Sequence, residues 1–166
     1  MSWSDAARVP IDDVTSGVDH FIPGLAVDPA TSGAATHLAL TYYFYPDATC
    51  AGGCQLDVGY ISSPDGGAHW GAPTQLAGPM TLDQIAQTSQ GPMVGDYIST
   101  SFSGGLATTV IAVGKPATTA AFDEAMYAPA SRLSVASAAQ ATRVASSAGA
   151  VTGVGTGETH QALKRN

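Results

Sequence analysis

Apolar residues along this chain come in short runs that alternate with polar ones, and clusters of Gly, Pro, Asp, Ser and Thr separate the runs. The clearest run is 37–45, where Leu38, Leu40, Tyr42 and Phe44 fall on one side and His37, Ala39, Thr41, Tyr43 and Tyr45 on the other. Alternation of this kind marks a β-strand, because successive side chains leave opposite faces of the pleat. Both sides carry bulk, so the strand is expected to be covered on both faces. A shorter apolar strand is predicted at 21–27, where Pro23 and Gly24 are tolerable near the start, and a turn follows at 28–33. Further strands are predicted at 55–62, 69–76, 93–102, 106–113 and 122–127, with Ser103-Gly104-Gly105 as a hairpin turn. Residues 77–92 read mainly as a loop with room for a short helical turn. From 130 to 157 the chain is mostly Ala, Ser, Thr, Gly and Val without a large aromatic, a composition that builds little core. Leu133, Val135 and Val144 are nonetheless spaced to add a strand or a loose helix, and 158–166 reads as a surface tail.

Between the strands at 55–62 and 69–76 stands the octet Ser63-Pro64-Asp65-Gly66-Gly67-Ala68-His69-Trp70, in which each fixed position has a chemical reason. Asp65 can accept backbone N–H groups two residues on, Gly66-Gly67 supply the left-handed conformations a tight hairpin needs, and Ser63 adds a second side-chain cap. Trp70 opens the returning strand with an indole large enough to wedge the hairpin against a neighbour. The spacing S-x-D-x-G-x-x-W resembles the Asp box, the repeat motif of bacterial neuraminidases and other sialidase-like β-propellers, with Ser63, Asp65, Gly67 and Trp70 at all four fixed positions. In that family the box lies at the outer edge of a blade, between its third and fourth strands, so the resemblance implies structural and not catalytic roles for these residues. Trp3 precedes Trp70 by 70 − 3 = 67 residues, and the chain is therefore expected to start on the last residue of an earlier box.

The resulting expectation is an all-β fold, a partial β-propeller of about two four-stranded antiparallel blades. Residues 1–10 would end a preceding blade, 11–77 would form a complete blade, and 78–129 a second one, complete or not. Residues 130–166 would be a partly ordered tail. Two open blades are expected to expose apolar residues such as Leu40, Tyr42 and Val110, and to self-associate through them.

Composition narrows the function classes. With 45% apolar and only 11% charged residues in 166, the chain has the character of a folded domain, and 19 Gly and 10 Pro fit many turns between short strands. A formal charge of −7 with six Lys and Arg argues against a nucleic-acid partner, which needs clustered cations. No run approaches the ~20 apolar residues of a membrane span. The N-terminus lacks the basic and apolar regions of a signal peptide, so an extracellular or cell-envelope location, which the resemblance implies, requires that the full-length gene encode one. Cys50 and Cys54 are separated by Ala-Gly-Gly, and a disulfide closing that loop stands against a pair of free thiols. A zinc site would need further Cys or His ligands, so no metal or cofactor is expected.

In a propeller the innermost strands and their flanking loops form the ligand face. Asp19-His20 stands before one predicted inner strand and Asp96-Tyr97 lies in the next, so Asp19, His20 and Tyr97 are candidate ligand-binding residues. Purely structural roles would be a loop cap for Asp19, an exposed loop imidazole for His20, a turn carboxylate for Asp96 and a packed aromatic for Tyr97. Asp123 and Glu124 are adjacent on a strand and would point to opposite faces, which disfavours a carboxylate dyad. Sialidases use a Tyr nucleophile with an acidic neighbour, and by resemblance Tyr97 with Asp96 or Glu124 would be the catalytic set. The family also holds its sugar carboxylate with three arginines from different blades. Here Arg8 falls in a predicted outer strand, and Arg132, Arg143 and Arg165 fall in the tail. The resemblance thus implies a fragment of a secreted sialidase-like glycoside hydrolase propeller that is inactive alone, or a non-catalytic propeller that binds glycans or proteins or scaffolds a larger enzyme.

Overall fold

A computed structural model describes residues 5–50, 53–118 and 122–143. Trp3 and the tail beyond 143, with Val144 and Arg165, lie outside the described residues. Those described are all-β: every strand pairing is antiparallel, no sheet closes on itself, and there is no α-helix.

The first sheet is a meander of β1 (His20–Val27), β2 (Leu38–Phe44), β3 (Gln55–Ser63) and β5 (Thr74–Thr81), in that spatial order. The two-residue β4 (His69–Trp70) lies in the connection between β3 and β5. Pro23 sits where the pairing of β1 with β2 shifts register between Phe21 and Gly24, and Ile22 beside it has a positive φ of 48°. The missing N–H of proline is accommodated by this bulge, which bends β1 without breaking it. The second sheet has the order β10 (Asp123–Tyr127), β9 (Leu106–Lys115), β8 (Ser99–Ser103). Between the sheets, β5 runs five residues past the expected end at Leu76, a 3-10 turn follows at Leu82–Gln84, and β6 (Ala86–Thr88) pairs with β7 (Gly91–Met93). The expected loop at 77–92 is thus largely strand, and the expected single strand at 93–102 is divided between β7 and β8.

Both faces of the first sheet are covered, as the bulk on both sides of 37–45 requires. Tyr43 on one face joins Leu56, Val58, Met80, Ile85, Val94, Ile111 and Ala112 in a core shared with the second sheet. On the opposite face Leu40 and Tyr42 pack with Ile61 and Trp70, and Val9 and Ile11 cover them from the N-terminal segment. Leu40 and Tyr42 are therefore buried, contrary to the expectation that they form an open apolar surface, because the 9–11 segment folds back over them. Val110 is exposed, as are Leu25, Val27 and Met126.

The small-residue segment beyond 130 contributes backbone and not side-chain bulk. Leu133 exchanges two hydrogen bonds with Ala107, of 2.8 and 2.7 Å, and Ser134 accepts one from the Tyr60 hydroxyl. Ala136 N–H donates to Ser62 Oγ, and β11 (Thr142–Arg143) pairs with β4. This segment straps the second sheet to the turn region of the first. Small residues are needed there: a Cβ on Gly71 would stand 2.5 Å from Cβ of Ala136.

Candidate functional site

The Ser63–Trp70 turn is held by side chains at the positions the sequence singled out, although Asp65 reaches the N–H four residues on and not two, because Ser63 already takes the N–H of Gly67. Ser63 Oγ accepts the N–H of Gly67 at 2.8 Å, and Asp65 Oδ1 accepts the N–H of His69 at 2.8 Å while Asp65 Oδ2 meets His69 Nδ1 at 2.5 Å. Trp70 Nε1 donates to the Gly67 carbonyl at 3.0 Å, and its ring is 5% exposed. Gly66 and Gly67 have φ of 71° and 93°, conformations that a side chain would strain. Ser63, Asp65 and the Trp70 indole N–H all spend hydrogen bonds inside the octet, as a structural clasp requires.

Partial burial opposes ionisation of Asp65, but the hydrogen bonds from His69 and Ser63 together outweigh it and hold the carboxyl below its ordinary value of 3.8. A carboxyl depressed in the folded state stabilises the fold above its unfolded pKa and loses that contribution as pH falls through the folded one. Asp65→Ala is expected to cost about 1–3 kcal/mol near neutrality by leaving turn N–H groups unpartnered. The cost should shrink as the pH falls from neutrality through the depressed folded-state value, where the wild-type carboxylate is also lost. Urea denaturation across an acid pH series checks this, and a cost that stays constant down to full protonation of the carboxyl would be inconsistent with it.

The residues expected to carry chemistry are dispersed. Tyr97 is 88% exposed, in the loop between β7 and β8 beside the exposed Asp96, and it is not the packed aromatic of a purely structural role. Glu124 on β10 is half-buried, and its Oε2 accepts the N–H of Ala86 at 2.7 Å, so it caps β6. Among the described residues no hydrogen bond or ion pair joins Tyr97 to Asp96 or Glu124. Asp19 is exposed, and its carbonyl accepts the N–H of Tyr45. His20 is not a loop imidazole: it opens β1, with its ring 6.0 Å from that of Phe44 and nearly parallel, and 5.4 Å from Tyr42 edge-on. Arg8 lies in a loop and not in an outer strand, and Arg132 donates to the Ser103 carbonyl. Cys50 and Cys54 are joined as a disulfide, their Cα atoms 5.2 Å apart.

His20 belongs to a recess that the sequence did not assemble. A cavity of about 260 Å³ opens between the 11–20 segment, the end of β2 and the start of β5. Its aromatic wall is His20, Tyr42 and Phe44, and its polar groups are Asp12, Thr74 and Gln75. Tyr42 lies flat against the backbone at Gly59, where a Cβ would come within 2.4 Å of its ring. Burial chiefly, and then the charge of Asp12, raises the Tyr42 phenol far above its ordinary value, so it stays a neutral hydroxyl. Burial works against the Asp12 carboxylate, but contacts from Ser16 and Arg8 and the nearby His20 prevail and keep it ionised below the usual range. Gln75 donates its amide to Asp57 Oδ1 at 2.9 Å. Asp57 itself is buried, and burial raises its carboxyl.

No family model, curated protein or solved structure matches this chain. Its functional reading rests on its own residues. Among them no group of three or more His, Cys, Asp or Glu is placed to hold a metal ion, and no described helix is long and apolar enough to cross a membrane. Asp12, Tyr42, Phe44 and Gln75 were not singled out from the sequence as site residues. The alternation that places Tyr42 and Phe44 on one face of β2 was the one available signal, while Asp12 and Gln75 meet only through the fold.

Proposed function

We propose that this chain forms about two consecutive blades of an Asp-box β-propeller resembling the sialidases, and that it serves as a non-catalytic module that binds glycans or scaffolds a larger secreted protein. The observation that carries this reading is positional: the Ser63–Trp70 clasp closes the turn after the third strand of a four-stranded antiparallel meander, the position of the Asp box within a blade. The second sheet, with three strands, would be the neighbouring blade. A disulfide between Cys50 and Cys54 supports an oxidising compartment and so an extracellular or cell-envelope location.

The non-catalytic part rests on the dispersal of the acid and Tyr candidates. An exposed Tyr97 with no carboxylate in contact has nothing to activate it as a nucleophile, and Glu124 is committed to a backbone N–H. The guanidinium of Arg8 is engaged by Asp12, and that of Arg132 gives one nitrogen to the Ser103 carbonyl and does not line the recess at His20. The protein is expected to release no fluorophore from a fluorogenic sialoside, with Tyr97→Phe indistinguishable from wild type. Turnover that Tyr97→Phe abolishes would replace this reading with that of a hydrolase.

A further inference from the structure

We propose that the recess beside His20 is a subsite for one neutral pyranose residue, separate from Tyr97, Asp96 and Glu124, none of which lines it. The proposal rests on the glycan-binding part of the reading above and names where and in what form the sugar is held.

The Arg8 and Asp12 charges beside the recess are already matched to each other. Arg8 gives one guanidinium nitrogen to the Asp12 carbonyl and another to its carboxylate, and the second carboxylate oxygen accepts Ser16 Oγ–H. An anionic ligand finds no unoccupied cationic fork, and a cationic ligand finds no bare carboxylate. The neutral groups remain. Gln75 spends its amide N–H bonds on Asp57 and the Ala77 carbonyl, which leaves its own carbonyl oxygen free to accept. Among the described residues the His20 ring makes no hydrogen bond, so it offers one donor and one acceptor when neutral, and the exposed Thr74 hydroxyl offers both.

This combination of an apolar ring wall with a few neutral donors and acceptors matches a pyranose, which has a C–H face and a rim of hydroxyls. The volume of about 260 Å³ lies just below the ~300–1,000 Å³ of pockets for drug-sized ligands, and so suits a single sugar ring. Pro46 and Pro73 at the rim fix the backbone there, so little ordering is needed on binding.

The test is an amide chemical-shift titration of the whole chain with methyl β-D-glucopyranoside and methyl β-D-galactopyranoside, with N-acetylneuraminic acid as the anionic comparison. At least one neutral glycoside should give saturable shifts confined to residues 11–20, 42–46 and 73–75, and the acid should give none there. His20→Ala should weaken binding about tenfold, the worth of one lost ring contact and its hydrogen bond. Thr74→Trp, which fills the mouth from an exposed position and removes no core atom, should abolish binding with the melting temperature unchanged. The proposal is overturned if neither neutral glycoside gives saturable shifts, if the shifts lie elsewhere, or if Thr74→Trp binds as wild type does. Sugar binding that survives Thr74→Trp would remove the recess and leave the glycan-binding reading standing, whereas no sugar binding at all would remove both. The clasp at Ser63–Trp70 is judged independently, on stability.

Discussion

Trp70→Ala is expected to lower the free energy of unfolding by about 3–5 kcal/mol, the usual cost of deleting a buried large aromatic. The indole is 5% exposed and packs with Leu40, Tyr42 and Ile61, so its removal opens a cavity under the covered face of the first sheet. It also deletes the hydrogen bond to the Gly67 carbonyl that closes the octet. Trp70 is paired through its backbone with Thr142, so the strap beyond 130 should loosen as well. Urea denaturation followed by far-ultraviolet circular dichroism measures the loss. A change below about 1 kcal/mol would mean that the indole is not a packed core residue.

Tyr43→Phe should be nearly as costly although it removes a single oxygen atom. Tyr43 is fully buried, and its hydroxyl both donates to the Ala112 carbonyl at 2.8 Å and accepts the Ala112 N–H at 2.9 Å. By this stage β8 has ended, so β9 has no strand on that side, and one phenol takes the place of a neighbouring strand for both backbone groups of Ala112. Burial pushes the phenol up to about 12, against the lowering effect of the Ala112 contact, so it remains a neutral donor at physiological pH. Phe keeps the shape and leaves a buried N–H and a buried carbonyl unpaired, at roughly 1–3 kcal/mol each, for a total of about 2–6 kcal/mol. Equilibrium denaturation gives the value, and faster amide exchange at Ala112 would localise it. Unchanged exchange at Ala112 would show that the phenol does not bridge the sheets.

The strands that carry side-chain bulk were legible because alternation reports directly on burial. The run at 37–45 became β2 with both faces packed, 55–62 became β3, and 106–113 became most of β9. The β6–β7 hairpin was not legible, since Gln87, Thr88 and Pro92 show no alternation and the pairing is made by the backbone and by the Thr88 hydroxyl, which donates to the Gly91 carbonyl. The strap at 132–143 was hidden for a related reason: Ser134 and Ala136 act through a carbonyl and an N–H, which hydrophobic patterning cannot register. The octet at Ser63–Trp70 could be read in full because its partners lie within seven residues of one another. The recess could not, because Asp12, His20, Tyr42 and Gln75 come from four segments whose meeting depends on the fold-back of the N-terminal segment over β2.

The octet is expected to act as one cooperative clasp on which the first sheet depends. A double-mutant cycle on Asp65→Ala and Trp70→Ala, by urea denaturation near neutral pH, measures that cooperativity. Asp65 anchors the N–H of His69, and Trp70 returns to Gly67 inside the same turn, so either deletion should already release much of what the other holds. The double variant is therefore predicted to be more stable than the sum of the single losses implies, by at least about 1 kcal/mol. Losses that add to within about 0.5 kcal/mol would show two independent contacts and contradict the claim.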